Sequence, residues 1–219
     1  MKILITAATD FELIGVQQKI KSTKNREIIF AITGVGMLAT AVSLMKLIFE
    51  QQPDFIIQIG IAGCFDVQEK LGSVYLVEEE FLGDVGVLED NKWKDVFDLG
   101  LVKQNSKPFK KKGIINTKIK QYNFIDLPTV KAVTVNLITT DKNLISQLLK
   151  KYNPIIETME GAALHYVCNL NNVPYLQIRA TSNYVGERDK TKWKMKLAMD
   201  NLSRTLKSLI NHQSSIFNQ

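Results

Sequence analysis

Cysteine is almost missing from this 219-residue chain: Cys64 and Cys168 are the only two, far apart and in no CxxC arrangement. That argues against a disulfide framework and a thiolate metal centre, and it predicts two reduced thiols in a cytoplasmic protein. Histidine is equally scarce. His165 falls in an apolar helical pattern, packed or at a subunit contact, and His212 falls in the C-terminal tail. Neither pairs with a nucleophile or completes a ligand set, so no metal and no organic cofactor is expected. Long apolar runs are absent as well. A membrane span needs about 18 uninterrupted apolar residues, and the longest candidate, residues 37–49, is broken by Lys46. Asp10 and Glu12 cut the opening apolar segment before a signal sequence could form. A strong charge of one sign is lacking too. The net charge is +6, with lysine and arginine spread along the chain. Nucleic-acid binders concentrate such residues in a stripe, so neither nucleic acid nor membrane is expected as a partner. A mildly positive surface instead favours an anionic small molecule.

What the chain does have is 45% hydrophobic residues, enough for one good core and a single domain over residues 1–219. Strand and helix patterns alternate. Residues 2–8, 27–33, 54–60, 73–78, 131–136, 155–158 and 174–180 read as strands. Residues from 10 onward, 37–50, 141–152, 160–170 and about 191–211 read as helices, with Asp141 as a cap. DFIIQIG at 54–60 is apolar at both parities, the pattern of a central strand covered on both faces. The alternation predicts an α/β architecture with a mostly parallel sheet. Residues 80–128 are irregular and too long for a simple connection, so they are expected to be functional or to carry extra strands.

Two stretches carry the functional signal. ETMEGAALHYVC, at 157–168, puts Glu160 where an extended segment turns into a helix. IRATSNYVGERD, at 178–189, puts Arg179, Ser182 and Asn183 where a buried run breaks into a polar loop. Ligands of α/β proteins sit outside the carboxyl ends of the strands. Three acids are candidates for acid–base work: Glu12, Glu160 and Asp189. Glu12 and Glu160 each follow a core strand, and in a parallel sheet those ends share an edge and can converge. GVGMLA at 34–39 has the shape of a phosphate-binding turn, but it follows the second strand and lacks the acid of a dinucleotide fingerprint. A ligand-contacting turn at Gly34 and simple tight packing both remain open. GIAGCF at 60–65 ends the central strand at Ala62 and Gly63, where glycine permits close approach of backbone to ligand.

Taken together, TAATDFE at 6–12, TGVGMLAT at 33–40, GIAGCF, LGSVYLVEEEFLGDVGVLED at 71–90, TVNLITTD at 134–141, ETMEGAA and RATSNYVG resemble the purine nucleoside phosphorylases and nucleosidases over nearly the whole chain. The resemblance implies a three-layer α/β sandwich with a central twisted mixed sheet flanked by helices, and a homodimer with sites near the interface. It implies that Glu160 clamps ribose hydroxyls, that Met159 packs on the sugar, that Glu12 activates water, and that Arg179 helps hold that water and Glu160. Phosphorolytic members carry basic residues in their early loops, whereas this chain has the acid of TAATDFE, which favours water over phosphate. Adenine-type nucleosidases carry aspartate where this chain has Asn183 after Ser182, and a further glutamate where it has Thr158. An amide accepts and donates at once, which suits protonated N7 and O6 of a 6-oxopurine. The likeness leans to the futalosine hydrolases, a branch that releases hypoxanthine in menaquinone biosynthesis. The alternatives are a 5′-methylthioadenosine/S-adenosylhomocysteine nucleosidase, a purine nucleoside phosphorylase and a non-catalytic nucleoside- or RNA-binding protein.

Overall fold

Period-two burial organises the centre of the molecule. In a computed structural model, which describes residues 1–216 with side chains through His212, the first strand β1 (Lys2–Ala7) sends Ile3 and Ile5 into one core and Leu4 into another. Helix α1 (Asp10–Gln17), strand β2 (Glu27–Ile32), helix α2 (Met37–Gln51) and strand β3 (Phe55–Cys64) follow. In β3, Ile57 and Ile59 join Ile3 and Ile5, while Ile56 joins Leu4. Each such side chain, fully buried, contributes about 1.5–3 kcal/mol. The central strand is therefore covered on both faces, as its sequence predicts.

The chain continues through β4 (Val74–Leu82), β5 (Gly86–Glu89), β6 (Lys92–Asp95), β7 (Ile114–Ile115), α3 (Ile119–Tyr122), β8 (Thr129–Thr134), α4 (Lys142–Tyr152), β9 (Ile156–Thr158), α5 (Gly161–Asn171), β10 (Tyr175–Tyr184) and α6 (Met195–Ile216). The 80–128 region does carry extra strands: β5 and β6 form a hairpin whose turn residues Asp90 and Asn91 both have positive φ, 49° and 59°, as a two-residue hairpin turn demands. Asp141 caps α4 by accepting from the Leu144 amide at 2.8 Å.

The sheet is mixed and flanked by helices. β1 pairs in parallel with β2 and β3, and β3 with β10. β10 then pairs antiparallel with β4, β4 parallel with β8, β8 parallel with β9, and β9 antiparallel with the end of β3. These five pairings close a ring from which β1 and β2 extend. α1 and α6 pack on one face through Leu13, Val16, Leu202 and Leu206, and α2 and α5 on the other through Leu44, Leu164 and Val167. His165 is fully buried in α5, its ring edge-on to Tyr175 and its Nδ1 2.9 Å from the Ile114 carbonyl. No helix among the described residues is long and apolar enough to cross a membrane.

Candidate functional site

A cavity of about 290 Å³ opens where β1, β3 and β10 end and α5 begins, and Glu12, Ala62, Gly63, Met159, Glu160 and Asn183 all line it. Glu12 stands in the first turn of α1, three residues after the N-cap Thr9. A carboxylate at that position can turn back to the cap amide. Its Oε2 accepts from the Thr9 amide and hydroxyl, each at 3.2 Å, and its Oε1 accepts from the Ile61 amide at 3.1 Å. Those bonds bind the start of α1 to β3 and hold a carboxylate, 6% exposed, against the cavity.

Glu160 occupies the N-cap of α5. Its Oε1 accepts from the Gly36 amide at 3.2 Å, and its Oε2 lies 3.5 Å from Nη2 of Arg179. Burial pushes its carboxyl above the usual range, with the Arg179 guanidinium pulling the other way. Arg179 does not line the cavity. It is 1% exposed behind Glu160 and donates to Gln58 Oε1 at 2.6 Å. Gly60 makes this possible, because a Cβ there would run into Arg179 and stand 2.8 Å from Glu12 Oε1. Gly34 does not reach the cavity either. It takes φ 82° in the turn before α2 and its carbonyl accepts from Thr40 Oγ1 at 3.1 Å. Val35 lines the wall, and the Gly36 amide is the one that meets Glu160.

Ser182 and Asn183 lie on a strand, which corrects the expectation of a polar loop beyond residue 180. β10 continues to Tyr184 because Thr181, Asn183 and Tyr184 pair with Ala62, Gly63 and Cys64, with a bulge at Ser182. Bulges re-aim side chains beside active sites. Ser182 Oγ donates to Asn183 Oδ1 at 2.8 Å, and Asn183 Nδ2 donates to the Tyr184 carbonyl at 3.0 Å, so one lone pair and one N–H of the amide stay available to a ligand.

Glu12 and Glu160 converge, though not by the expected parallel edge. β9 runs antiparallel to β3, so its end comes alongside the body of that strand. Asp189 takes no part. It caps a short turn, accepting from the Thr191 amide at 3.0 Å on an exposed loop. The sequence reading passed over Glu157, Arg188 and Trp193, which also line the cavity. Glu157 was detectable as a charge inside an otherwise apolar extended segment. Arg188 and Trp193 depend on the loop folding back, where the Lys194 amide donates to the Ser182 carbonyl at 2.7 Å. Among the described residues no group of three or more His, Cys, Asp or Glu side chains could hold a metal ion.

Residues 15–211 match the phosphorylase superfamily. The chain belongs to that superfamily. A futalosine hydrolase of Thermus thermophilus is 26% identical over 193 residues, covering 87% of this chain and 84% of that protein. A 5′-methylthioadenosine/S-adenosylhomocysteine nucleosidase of Staphylococcus aureus is 27% identical over 196 residues, covering 84% and 80%. Among solved structures, such a nucleosidase from Colwellia psychrerythraea in complex with adenine superposes with a TM-score of 0.80 at 20% identity, covering 97% of this chain and 95% of that one. The futalosine hydrolase of Helicobacter pylori superposes at 0.78 and 17%, covering 96% and 97%. The two sequence relatives are a hydrolase and a nucleosidase, and the two solved structures share the fold of this chain.

Proposed function

We propose that the chain hydrolyses the N-glycosidic bond of futalosine, releasing hypoxanthine and dehypoxanthine futalosine for menaquinone biosynthesis, as a cytoplasmic homodimer. The observation that carries the choice of substrate is Asn183, an amide in the cavity with its Oδ1 already receiving the Ser182 hydroxyl. It accepts from protonated N7 and donates to O6 of the departing hypoxanthine. Against adenine the same amide N–H meets a second donor, an unmatched pair costing about 1–3 kcal/mol. Phe11 and Val35, each 54% exposed, form an apolar wall for the aryl end of the 5′ extension.

The bond breaks through a transition state with oxocarbenium character, in which positive charge grows on the sugar. Glu160 clamps the ribose hydroxyls and places a carboxylate beside that charge, Met159 packs on the sugar face, and Arg179 fixes Glu160 from behind. Glu12 takes the proton of the attacking water. Gly34 shapes the turn that presents the Gly36 amide to Glu160. The test is base release from futalosine with and without inorganic phosphate. The proposal predicts free hypoxanthine at equal rates in both, with no sugar phosphate formed. Strict dependence on phosphate would make the enzyme a phosphorylase instead.

A further inference from the structure

One stretch departs from the even spread of charge along the chain. Residues 103–120 hold seven lysines and no acid, and among the described residues only Lys112 of these forms an ion pair, with Asp95 and Asp98. The stretch is pinned to the body of the protein. Phe109 sets its ring edge-on to Phe97 and Tyr166, and the Lys110 amide donates to the Gly113 carbonyl at 2.8 Å. Asn116, 4% exposed, accepts from the Lys118 amide at 3.1 Å and donates to the Tyr175 carbonyl at 2.8 Å. Both ends of the lysine-rich stretch are thereby held near the start of β10.

A cavity of about 300 Å³ lies there, lined by Lys107, Lys110 and Lys118 and, among the described residues, by no carboxylate. Ile115, Val173 and Pro174 give it an apolar wall. Tyr175 also lines it, 2% exposed, with its hydroxyl buried beside Cys168 and Asn169 and lacking a hydrogen-bond partner. The Asn169 amide donates to the Ile115 carbonyl at 3.2 Å instead. Burial raises the Tyr175 hydroxyl above the usual tyrosine range, so it keeps its proton to donate. Native proteins seldom leave a buried polar group unpaired, and like charges gather around one hollow only against Coulomb repulsion. An anionic occupant with an acceptor at its far end answers both. This hollow is separate from the catalytic cavity. β10 starts here at Tyr175 and reaches that cavity with Ser182 and Asn183, about 25 Å further along the strand.

We infer that this hollow is a second ligand site, which takes a small phosphate monoester whose organic part carries a hydrogen-bond acceptor. The phosphoryl oxygens meet Lys107, Lys110 and Lys118, the organic part lies on the apolar wall, and its acceptor takes the Tyr175 hydroxyl. Three cations from two segments suit a dianion with three terminal oxygens better than a carboxylate, which offers two oxygens and one charge. A nucleic-acid strand would track an open groove and would leave the buried hydroxyl unmet. The inference is independent of the nucleosidase reading.

Calorimetric titration of 4-acetylphenyl phosphate, which has a ring and a ketone acceptor, tests the site. The wild type is expected to bind it saturably, with affinity that falls as salt rises. Lys107→Gln, Lys110→Gln and Lys118→Gln combined are expected to weaken binding about tenfold or more, with a melting temperature at low salt equal to or above that of the wild type, because repulsion is relieved. Tyr175→Phe should lose about three- to tenfold, the weight of one neutral hydrogen bond, and lose nothing for phenyl phosphate, which has no acceptor. If Tyr175→Phe does not fold, the lysine variant and the comparison of the two esters decide. Absence of saturable binding, or affinity unchanged in the folded variants, overturns the site. Equal binding of 4-acetylbenzoate overturns the phosphate class. Single-stranded RNA that binds more tightly than the ester, sensitive to the lysines and indifferent to Tyr175→Phe, would make the stretch an open nucleic-acid face and overturn the pocket as well.

Discussion

Glu12 and Glu160 are both buried carboxylates in one cavity, yet their surroundings divide the labour between them. Glu12 is held by neutral donors, two from Thr9 and one from Ile61, and among the described residues no ion pair to it is formed. Glu160 faces the Arg179 guanidinium, which is 1% exposed and relies on it for charge balance. Glu12→Gln is expected to lower kcat by about 10²–10⁴ with KM and stability nearly unchanged, the usual weight of a general base. Steady-state kinetics check this, and full activity would remove Glu12 as the base. Glu160→Ala is expected to lose activity and also to unfold about 3–5 kcal/mol more easily in urea, because a buried charge loses its partner. A stable Glu160→Ala protein would show that Gln58 alone satisfies Arg179.

At the scale of elements, the start of α5 is positioned by a buried polar cluster. Thr158 and Thr134 hydroxyls accept from the Gly161 and Ala162 amides at 3.3 and 2.8 Å. The same hydroxyls and the Gln177 amide donate to the carboxylate of Glu80, which is wholly buried. Gly161 must be glycine there, since a Cβ would strike Glu80 and Gln177. Burial raises the Glu80 carboxyl to about 7, against the hydrogen bonds it accepts. The folded protein thus holds this proton more tightly than the unfolded chain. Its contribution to stability is full below the ordinary carboxylate range and is lost as pH rises through about 7. Glu80→Gln is expected to flatten the decline in melting temperature between pH 5 and pH 8, roughly the window of that titration; an unchanged slope would contradict the assignment. His165 acts oppositely: burial lowers it to about 4, so its contribution is lost as pH falls from the ordinary histidine range towards 4.

The same elements show what the sequence made legible. DFIIQIG announced a doubly covered strand, and the small-residue run after Glu160 announced a helix, because both signals are local periodicities. The bulge at Ser182 and the antiparallel approach of β9 were not legible. They arise from pairing between distant segments, and polarity alone made residues 181–184 look like a loop.

Over the whole molecule, α2 exposes Leu38, Val42, Met45 and Phe49, at 79, 63, 47 and 84%, as a stripe at helical spacing. The helix begins just after Val35 and Gly36, which border the site. A second copy covering this stripe is the proposed homodimer. Sedimentation should show a dimer, and Phe49→Lys together with Leu38→Glu should give a folded monomer; a monomeric wild type would remove the claim. The chain is also proposed to be one cooperative domain over residues 1–219, with a single unfolding transition and no stable proteolytic half. The account turns most on which base leaves. The most direct measurement is the ratio of kcat/KM for futalosine to that for 5′-methylthioadenosine, with the freed base identified by chromatography. The account predicts hypoxanthine, a ratio of at least about tenfold in favour of futalosine from the hydrogen-bond mismatch, and a ratio that falls in Asn183→Asp. Efficient release of adenine with futalosine left intact would contradict it.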